Sequence, residues 1–206
     1  MKAYSEKRNA PSAERNQAPI GAQLEKFISP NAHVLEIASG TGQHGAYFTA
    51  LRPDIVWQYS DIDMDTHDSQ AAYASDNSVQ LIMPFRLDVT QDDWWQDITS
   101  VTNIYCANMI HIAPWAAAMG LAKGARALLN SGEKLFLYGP FLMGDDSARS
   151  NLDFAQNLKQ RNPIWGVREL VDVEKLFFEN GFQLEKTINM PRDNYLLVFA
   201  RDLVAR

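Results

Sequence analysis

Val34-Leu35-Glu36-Ile37-Ala38-Ser39-Gly40-Thr41-Gly42-Gln43-His44-Gly45 is the stretch whose reading decides the fold. The run from His33 to Ile37 is short and apolar, as a buried strand is. Small residues and two glycines follow, and a helical pattern then runs from Gln43 to Leu51. Strand, glycine turn and helix together bring backbone close to a nucleotide-like ligand. Gly40 and Gly42 reach backbone angles closed to other residues and carry no Cβ to block that ligand.

Two cofactor classes use such a turn. Gly40-x-Gly42-x-x-Gly45 matches the dinucleotide fingerprint, which reads as a nicotinamide-dependent oxidoreductase. Glu36 argues otherwise, because a carboxylate four residues before the first glycine repels a pyrophosphate. It suits a cationic ligand, such as the sulfonium and ammonium of S-adenosylmethionine. A third reading needs no ligand: a buried strand-to-helix turn in which Glu36 pairs with a lysine or a backbone amide.

Val34 to Gly42 resembles the first motif of class I S-adenosylmethionine-dependent methyltransferases. From about Arg15 to Arg201 the chain is similar to one branch of them, the methyltransferase-like protein 26 family. The likeness rests on Leu35 to His44, Asn108-Met109-Ile110-His111-Ile112-Ala113-Pro114-Trp115 and Leu137-Tyr138-Gly139-Pro140-Phe141, with Ser150-Asn151 and Trp165-Gly166-Val167-Arg168. The resemblance implies an α/β fold: a Rossmann-like, doubly wound, seven-stranded sheet with an antiparallel last strand. It implies S-adenosylmethionine as cofactor, with contacts at Glu36, Ala38, Ser39, Gly40, Gly42, His44, Asp61, Ile62, Asp88, Val89, Asn108 and Asn16. Ala38 stands where most class I enzymes have another glycine, which bears on binding strength and not on the fold. What the branch methylates is not supplied by the resemblance.

At 206 residues and 46% hydrophobic, the chain is long enough for one domain with a sizeable core. We expect an arm over residues 1–19, a candidate lid, and a single domain over residues 20–206. No apolar run has the length of a membrane span, and the N-terminus lacks the apolar core of a secretory signal. A single cysteine, Cys106, excludes a disulfide framework and a thiolate zinc site and suits a reducing cytoplasm. A formal charge of −6 without basic runs disfavours nucleic acid as a partner. The expected partner is a small-molecule substrate, with no membrane; a homodimer is left open.

Pro11 and Pro19 mark the polar arm, and Leu24, Phe27 and Ile28 share a helical face ended by Ser29-Pro30-Asn31. Arg15 and Asn16 are candidate lid contacts, with a solvated arm as the alternative. Ile55 to Tyr59 is the second strand, and Asp61 beyond it has the place of the ribose-binding acid. Asp61-x-Asp63-x-Asp65 fails as a calcium loop, since Thr66 stands where glycine is needed and Ala72 where the bidentate Glu belongs. Asp63 or Asp65 therefore reads as a helix cap. Leu81 to Leu87, interrupted by Pro84, is the third strand. Asp88 and Val89 then match the adenine-facing pair of the class I pattern, or Asp88 caps a helix starting near Gln91 that Trp94 and Trp95 pack.

Val101 to Ala107 is the fourth strand, and Asn108 to His111 lie at its C-terminal end, where ligands of open α/β sheets bind. His111 is the candidate general base, since its ordinary pKa lies near working pH; the alternative is a histidine hydrogen-bonded under the following turn. His44 is a weaker candidate for the same role. Pro114 begins the next helix, Glu133 to Tyr138 is the fifth strand, and Gly139 to Gly144 reads as a loop. Tyr138 and Phe141 are candidate walls of an acceptor pocket. With Asn108, His111 and Tyr138 as the catalytic set and no metal, the leading reading is methyl transfer to a small molecule. A methyltransferase-like binding or assembly module is the second reading. The nicotinamide reading is weakened by Glu36 and by the want of a Tyr-x-x-x-Lys pair.

Overall fold

The computed structural model describes residues 7–76 and 81–202. The first six residues of the expected arm lie outside the described residues. Seven strands follow the order β3-β2-β1-β4-β5-β8-β7, and a two-residue strand, β6, pairs with β5. They are β1 (His33–Ile37), β2 (Val56–Asp61), β3 (Leu81–Arg86), β4 (Asn103–Ala107), β5 (Lys134–Leu142), β6 (Arg168–Glu169), β7 (Phe182–Met190) and β8 (Asn194–Arg201). The chain divides into two compact units. The first holds the residues up to Asp88 with Ser100–Tyr105, and the second holds Val89–Thr99 with the residues from Cys106 onward.

In the first unit β1 pairs parallel with β2, and β2 with β3. Val34 stands opposite Trp57 and Glu36 opposite Tyr59. Side chains alternate along a strand, so these four share one face. Helix α2 (Gln43–Leu51) lies on that face. A Cβ at Gly45 would stand 2.6 Å from ring atoms of Trp57 and Tyr59, so the third glycine of the motif exists for close helix–strand packing. The rings of Phe48, Trp57 and Tyr105 fill the space around it, with centroids 5.3 to 5.7 Å apart.

Helix α1 (Pro11–Leu24) runs straight through the boundary expected between arm and domain at residue 19. Pro11 falls in its first turn, where an amide has no intrahelical partner, so the residue read as an arm marker starts a helix. Ile20, Gly21 and Leu24 are buried, and Gly21 closes on Leu51 and Tyr47 of α2. Helix α3 (His67–Asp76) follows a short turn in which the Asp63 carboxylate accepts the Asp65 amide at 3.0 Å.

In the second unit β5 pairs antiparallel with β8, and β8 with β7, which gives the expected closing hairpin. β5 continues to Leu142, through the stretch expected as a loop. Gly139 pairs with Tyr195 and Pro140 with Asn194, and residues 139–141 are buried. Backbone that is buried must be hydrogen-bonded, so the ladder extends. The helix expected near Gln91 is instead a series of turns with Asp93 at φ 55°. Trp94 packs on α4 (Trp115–Leu128), donating its indole N–H to the Gly120 carbonyl at 3.0 Å. Helices α5 (Arg149–Arg161) and α6 (Leu170–Glu179) complete the unit. Among the described residues no helix is long and apolar enough to cross a membrane.

Candidate functional site

The turn after β1 is built from tied carbonyls. Gln70 donates to the Gly40 carbonyl at 2.9 Å, Ser69 to that of Thr41 at 2.8 Å and the Tyr59 hydroxyl to that of Gly42 at 2.6 Å. Ala38, Gly40 and Gly42 have φ of 57°, 56° and 88°, all left-handed. The two glycines do so without strain, whereas alanine at Ala38 costs about 1–2 kcal/mol. A Cβ at Gly42 would meet the Gln70 backbone at 3.1 Å, while one at Gly40 would meet nothing within 4 Å. The open face of the turn is therefore at Gly40, and a ligand has room there.

Asp61 closes one side of that face. Its carboxylate accepts the Gly40 amide at 2.8 Å and the Asp63 amide at 2.9 Å. A diphosphate cradled by this turn would need the Gly40 N–H that Asp61 holds, and it would meet a carboxylate. A nucleoside with vicinal hydroxyls meets acceptors instead, since each carboxylate oxygen keeps a second lone pair. Ile62 next to it is 52% exposed, an apolar side chain open to a flat ring. Asp88 is half buried just past β3. Among the described residues no three His, Cys, Asp or Glu side chains stand together as a metal site.

Glu36 lies beneath the turn, 2% exposed. One carboxyl oxygen accepts the Trp57 indole N–H at 2.8 Å, and the other faces His44 Nδ1 at 3.9 Å. His44 Nε2 meets Asn16 Oδ1 at 2.7 Å and Nδ1 meets the Tyr105 hydroxyl at 3.2 Å. Asn16 Oδ1 only accepts, so this network assigns the proton to Nε2 and leaves a lone pair on Nδ1. Burial raises the Glu36 pKa to about 8, against the hydrogen bonds from Trp57 and Ser39, and the Asp61 charge adds to the rise. Burial lowers that of His44 to about 4. Both are uncharged at neutral pH.

The residues before α1 strap the turn from outside. The Ala10 amide donates to Gln43 Oε1 at 2.5 Å, Arg8 N to Ser69 Oγ at 2.9 Å, and the Tyr73 hydroxyl to Asn9 Oδ1 at 2.9 Å. Asn16 thus touches the turn region through His44, while Arg15 is exposed. The sequence reading missed Trp57, Tyr59, Ser69, Gln70 and Tyr105, which hold the turn and its floor. Only the strand pairing and the approach of α3 reveal them.

The second unit carries the expected catalytic set. Asn108 adopts φ 59° and donates its amide to the Tyr138 carbonyl at 2.8 Å. Gly139 adopts φ 156°, and a Cβ there would stand 3.0 Å from His111 Cε1 and 3.4 Å from Asn108 Oδ1. Asn108, His111 and the Tyr138–Gly139 backbone are therefore brought together. His111 is 4% exposed, with the Phe154 ring edge-on at 6.0 Å. Burial, with the Arg168 charge, lowers its pKa to about 4. Arg168 donates to the Ile110 carbonyl at 2.9 Å and the Ala113 carbonyl at 2.7 Å, and the Gly166 amide to that of His111 at 2.9 Å. These bonds fix the segment that carries His111. The Val89 carbonyl lies against Gly120, where a Cβ would be 1.8 Å away.

The strand order with its antiparallel hairpin is that of class I S-adenosylmethionine-dependent methyltransferases. The chain belongs to the family described as "Protein of unknown function (DUF938)", which matches residues 7–201. It is similar in structure to an O-methyltransferase family protein from Burkholderia thailandensis, at a TM-score of 0.78 and 15% identity over 93% of this chain and 57% of that one. An O-methyltransferase family 2 protein from Planctomyces limnophilus, in complex with apigenin, gives 0.75 and 16% over 92% and 59%. Human N-acetylserotonin methyltransferase, in complex with S-adenosylmethionine, gives 0.73 and 12% over 93% and 53%. The chain thus spans less than two thirds of the length of each.

Proposed function

We propose that the protein binds S-adenosylmethionine at the Gly40 turn and transfers its methyl group to a small-molecule acceptor. The observation that carries the reading is the Asp61–Gly40 pair: a carboxylate beside an open left-handed glycine favours a nucleoside and disfavours a diphosphate. The bound sulfonium supplies a methyl already activated for transfer. The chain's task is then to hold donor and acceptor in line. Asp61 accepts the ribose hydroxyls, Ile62 covers the base, and the turn gives close backbone approach. In the second unit, the neutral ring of His111 is the chain's candidate acceptor for the proton of a hydroxyl or thiol substrate. The segments shared with the methyltransferase-like protein 26 family support that branch as the finer kinship, the acidic chain supports a small acceptor over a polyanion, and the single cysteine suits a reducing cytoplasm.

Thermal shift with S-adenosylhomocysteine, followed by methyl-donor consumption in a metabolite extract, tests the reading. Stabilisation with consumption is expected; stabilisation by NADH and none by the nucleoside overturns it. One observation favours the binding-module reading: His111 is only 4% exposed and enclosed by Gly139 and Phe154. Binding without consumption of the donor would select that reading.

A further inference from the structure

A groove of about 600 Å³ opens in the second unit, and none of Asn108, His111 and Tyr138 lines it. Trp115 and Met119, four residues apart, line it from α4, Leu176 from α6 and Leu142 from the end of β5. Arg168 lines it from β6, with its guanidinium carbon 5.6 Å from the Trp115 ring centre. Arg168 Nε donates to the Ile110 carbonyl, and Nη2 to those of Ala113 and Ile164. Nη1 makes no hydrogen bond, and the guanidinium no ion pair, among the described residues. The neighbouring carboxylate, that of Glu169, accepts the Gly144 amide at 3.2 Å instead. Burial lowers the Arg168 pKa, as it does for a cation short of counter-charge. Lys159 reaches the same groove from α5. Its stem lies along Gly166, where a Cβ would stand 3.4 Å from Cε, and its ammonium also has no partner among the described residues.

We propose that this groove binds a small monocarboxylate with an apolar or aromatic body, its carboxylate on Arg168 Nη1 and Lys159 and its body on Trp115, Met119, Leu142 and Leu176. Two cations that line one groove without a carboxylate partner attract an anion, and charged N–H donors make the stronger hydrogen bonds to it. The four apolar side chains reward burial of whatever the carboxylate carries. Asp172 and Glu179 border the groove from α6, on either side of Lys175, and disfavour a phosphate or a dicarboxylate. Both acids are exposed, so water already serves them, whereas Arg168 is half-buried and gains more from a partner. Arg168 holds carbonyls on both sides of His111, so an occupant bears on the segment that carries that ring. Every residue invoked belongs to the second unit, and the proposal stands apart from the donor reading of the Gly40 turn.

The test is an NMR titration of the whole chain with phenylacetate, followed at the Trp115 indole N–H and at the Ile112 and Ala113 amides. Hexanoate repeats it with a flexible body. Phenylacetamide, phenethylamine and inorganic phosphate serve as the comparisons. Saturable shifts at Trp115 are expected with both carboxylates, and binding about tenfold weaker or less with the amide, the amine and phosphate. Lys159→Glu changes an exposed side chain and spares the bonds of Arg168. It is expected to weaken phenylacetate binding about tenfold. Failure of both carboxylates to saturate overturns the proposal. So does an amide or phosphate that binds as well as the acid. Saturation that leaves Trp115 unmoved, or that Lys159→Glu does not weaken, overturns it equally.

Discussion

The carboxylate of Asp61 accepts the amide proton of Gly40 at 2.8 Å, joining the tip of β2 to the middle of the turn after β1. One residue, 6% exposed, thus braces the backbone of the turn and of the segment after β2. Asp61→Ala is expected to weaken binding of S-adenosylhomocysteine at least tenfold. It is also expected to lower stability by about 1–3 kcal/mol, the range for losing a hydrogen bond to a charged group. Calorimetry and urea unfolding measure the two effects, and unchanged binding in the folded variant would remove Asp61 from the site.

Gly40 and Gly45 make a contrasting pair. A methyl at Gly45 would lie 2.6 Å from the rigid rings of Trp57 and Tyr59, so Gly45→Ala is expected to cost about 1–3 kcal/mol from overpacking. A methyl at Gly40 meets nothing, and only its left-handed backbone resists, at about 1–2 kcal/mol. Gly40→Ala is therefore expected to fold and to lose the ligand. Chemical unfolding beside ligand titration separates a glycine kept for packing from one kept for access.

Stability is expected to peak near pH 6.5. Above that pH the folded chain holds the Glu36 proton up to about pH 8, and the unfolded chain does not. Stability then falls as pH rises, by about 1.4 kcal/mol per unit. Below pH 6.5 the unfolded chain protonates its histidines, while His44 and His111 stay neutral down to about pH 4. Stability then falls as pH falls. Glu36 opposes them above its ordinary value of 4.5, but two groups outweigh one. Urea midpoints at pH 5, 6.5 and 8 test the peak, and Glu36→Gln should flatten the alkaline limb and steepen the acid one.

Ala38→Gly removes a Cβ from a left-handed position with φ 57°. The relief, about 1–2 kcal/mol, exceeds the added chain entropy of glycine, so a gain of about 0.5 kcal/mol is expected. A lowered unfolding midpoint would show that the methyl makes a contact worth more than the strain.

Gly139→Ala drives a methyl to 3.0 Å from the His111 ring, and the ring must move or tilt. His111 imidazole resonances, followed by NMR against pH, should then titrate closer to 6.5 than to 4. An unmoved titration would mean that Gly139 does not set the position of the ring.

The fold was legible where chemistry is local. The short apolar runs and the glycine turn between them placed β1, α2 and β2 within a few residues. Failures came where a distant partner decides. Gly139-Pro140-Phe141 carries two residues typical of loops, yet β8 supplies the ladder that keeps it a strand. Trp94 and Trp95 read as packing for a helix of their own, but Gly124 on α4 leaves the space that Trp94 fills. The site divided in the same way. Asp61 and Gly40 could be named from spacing alone. That Glu36 is capped by Trp57 and faces a histidine depends on strand register and on which way α2 leans, and neither is written in a motif.

Asn16 has a consequence beyond its own hydrogen bond. Helix α1 acts as a stopper on a dry well that contains an acid and an imidazole side by side. Deleting the residues ahead of Ile20 would admit water, free His44 Nε2 and let proton pass from Glu36 to the ring. An ion pair would then stand where two neutral groups stood.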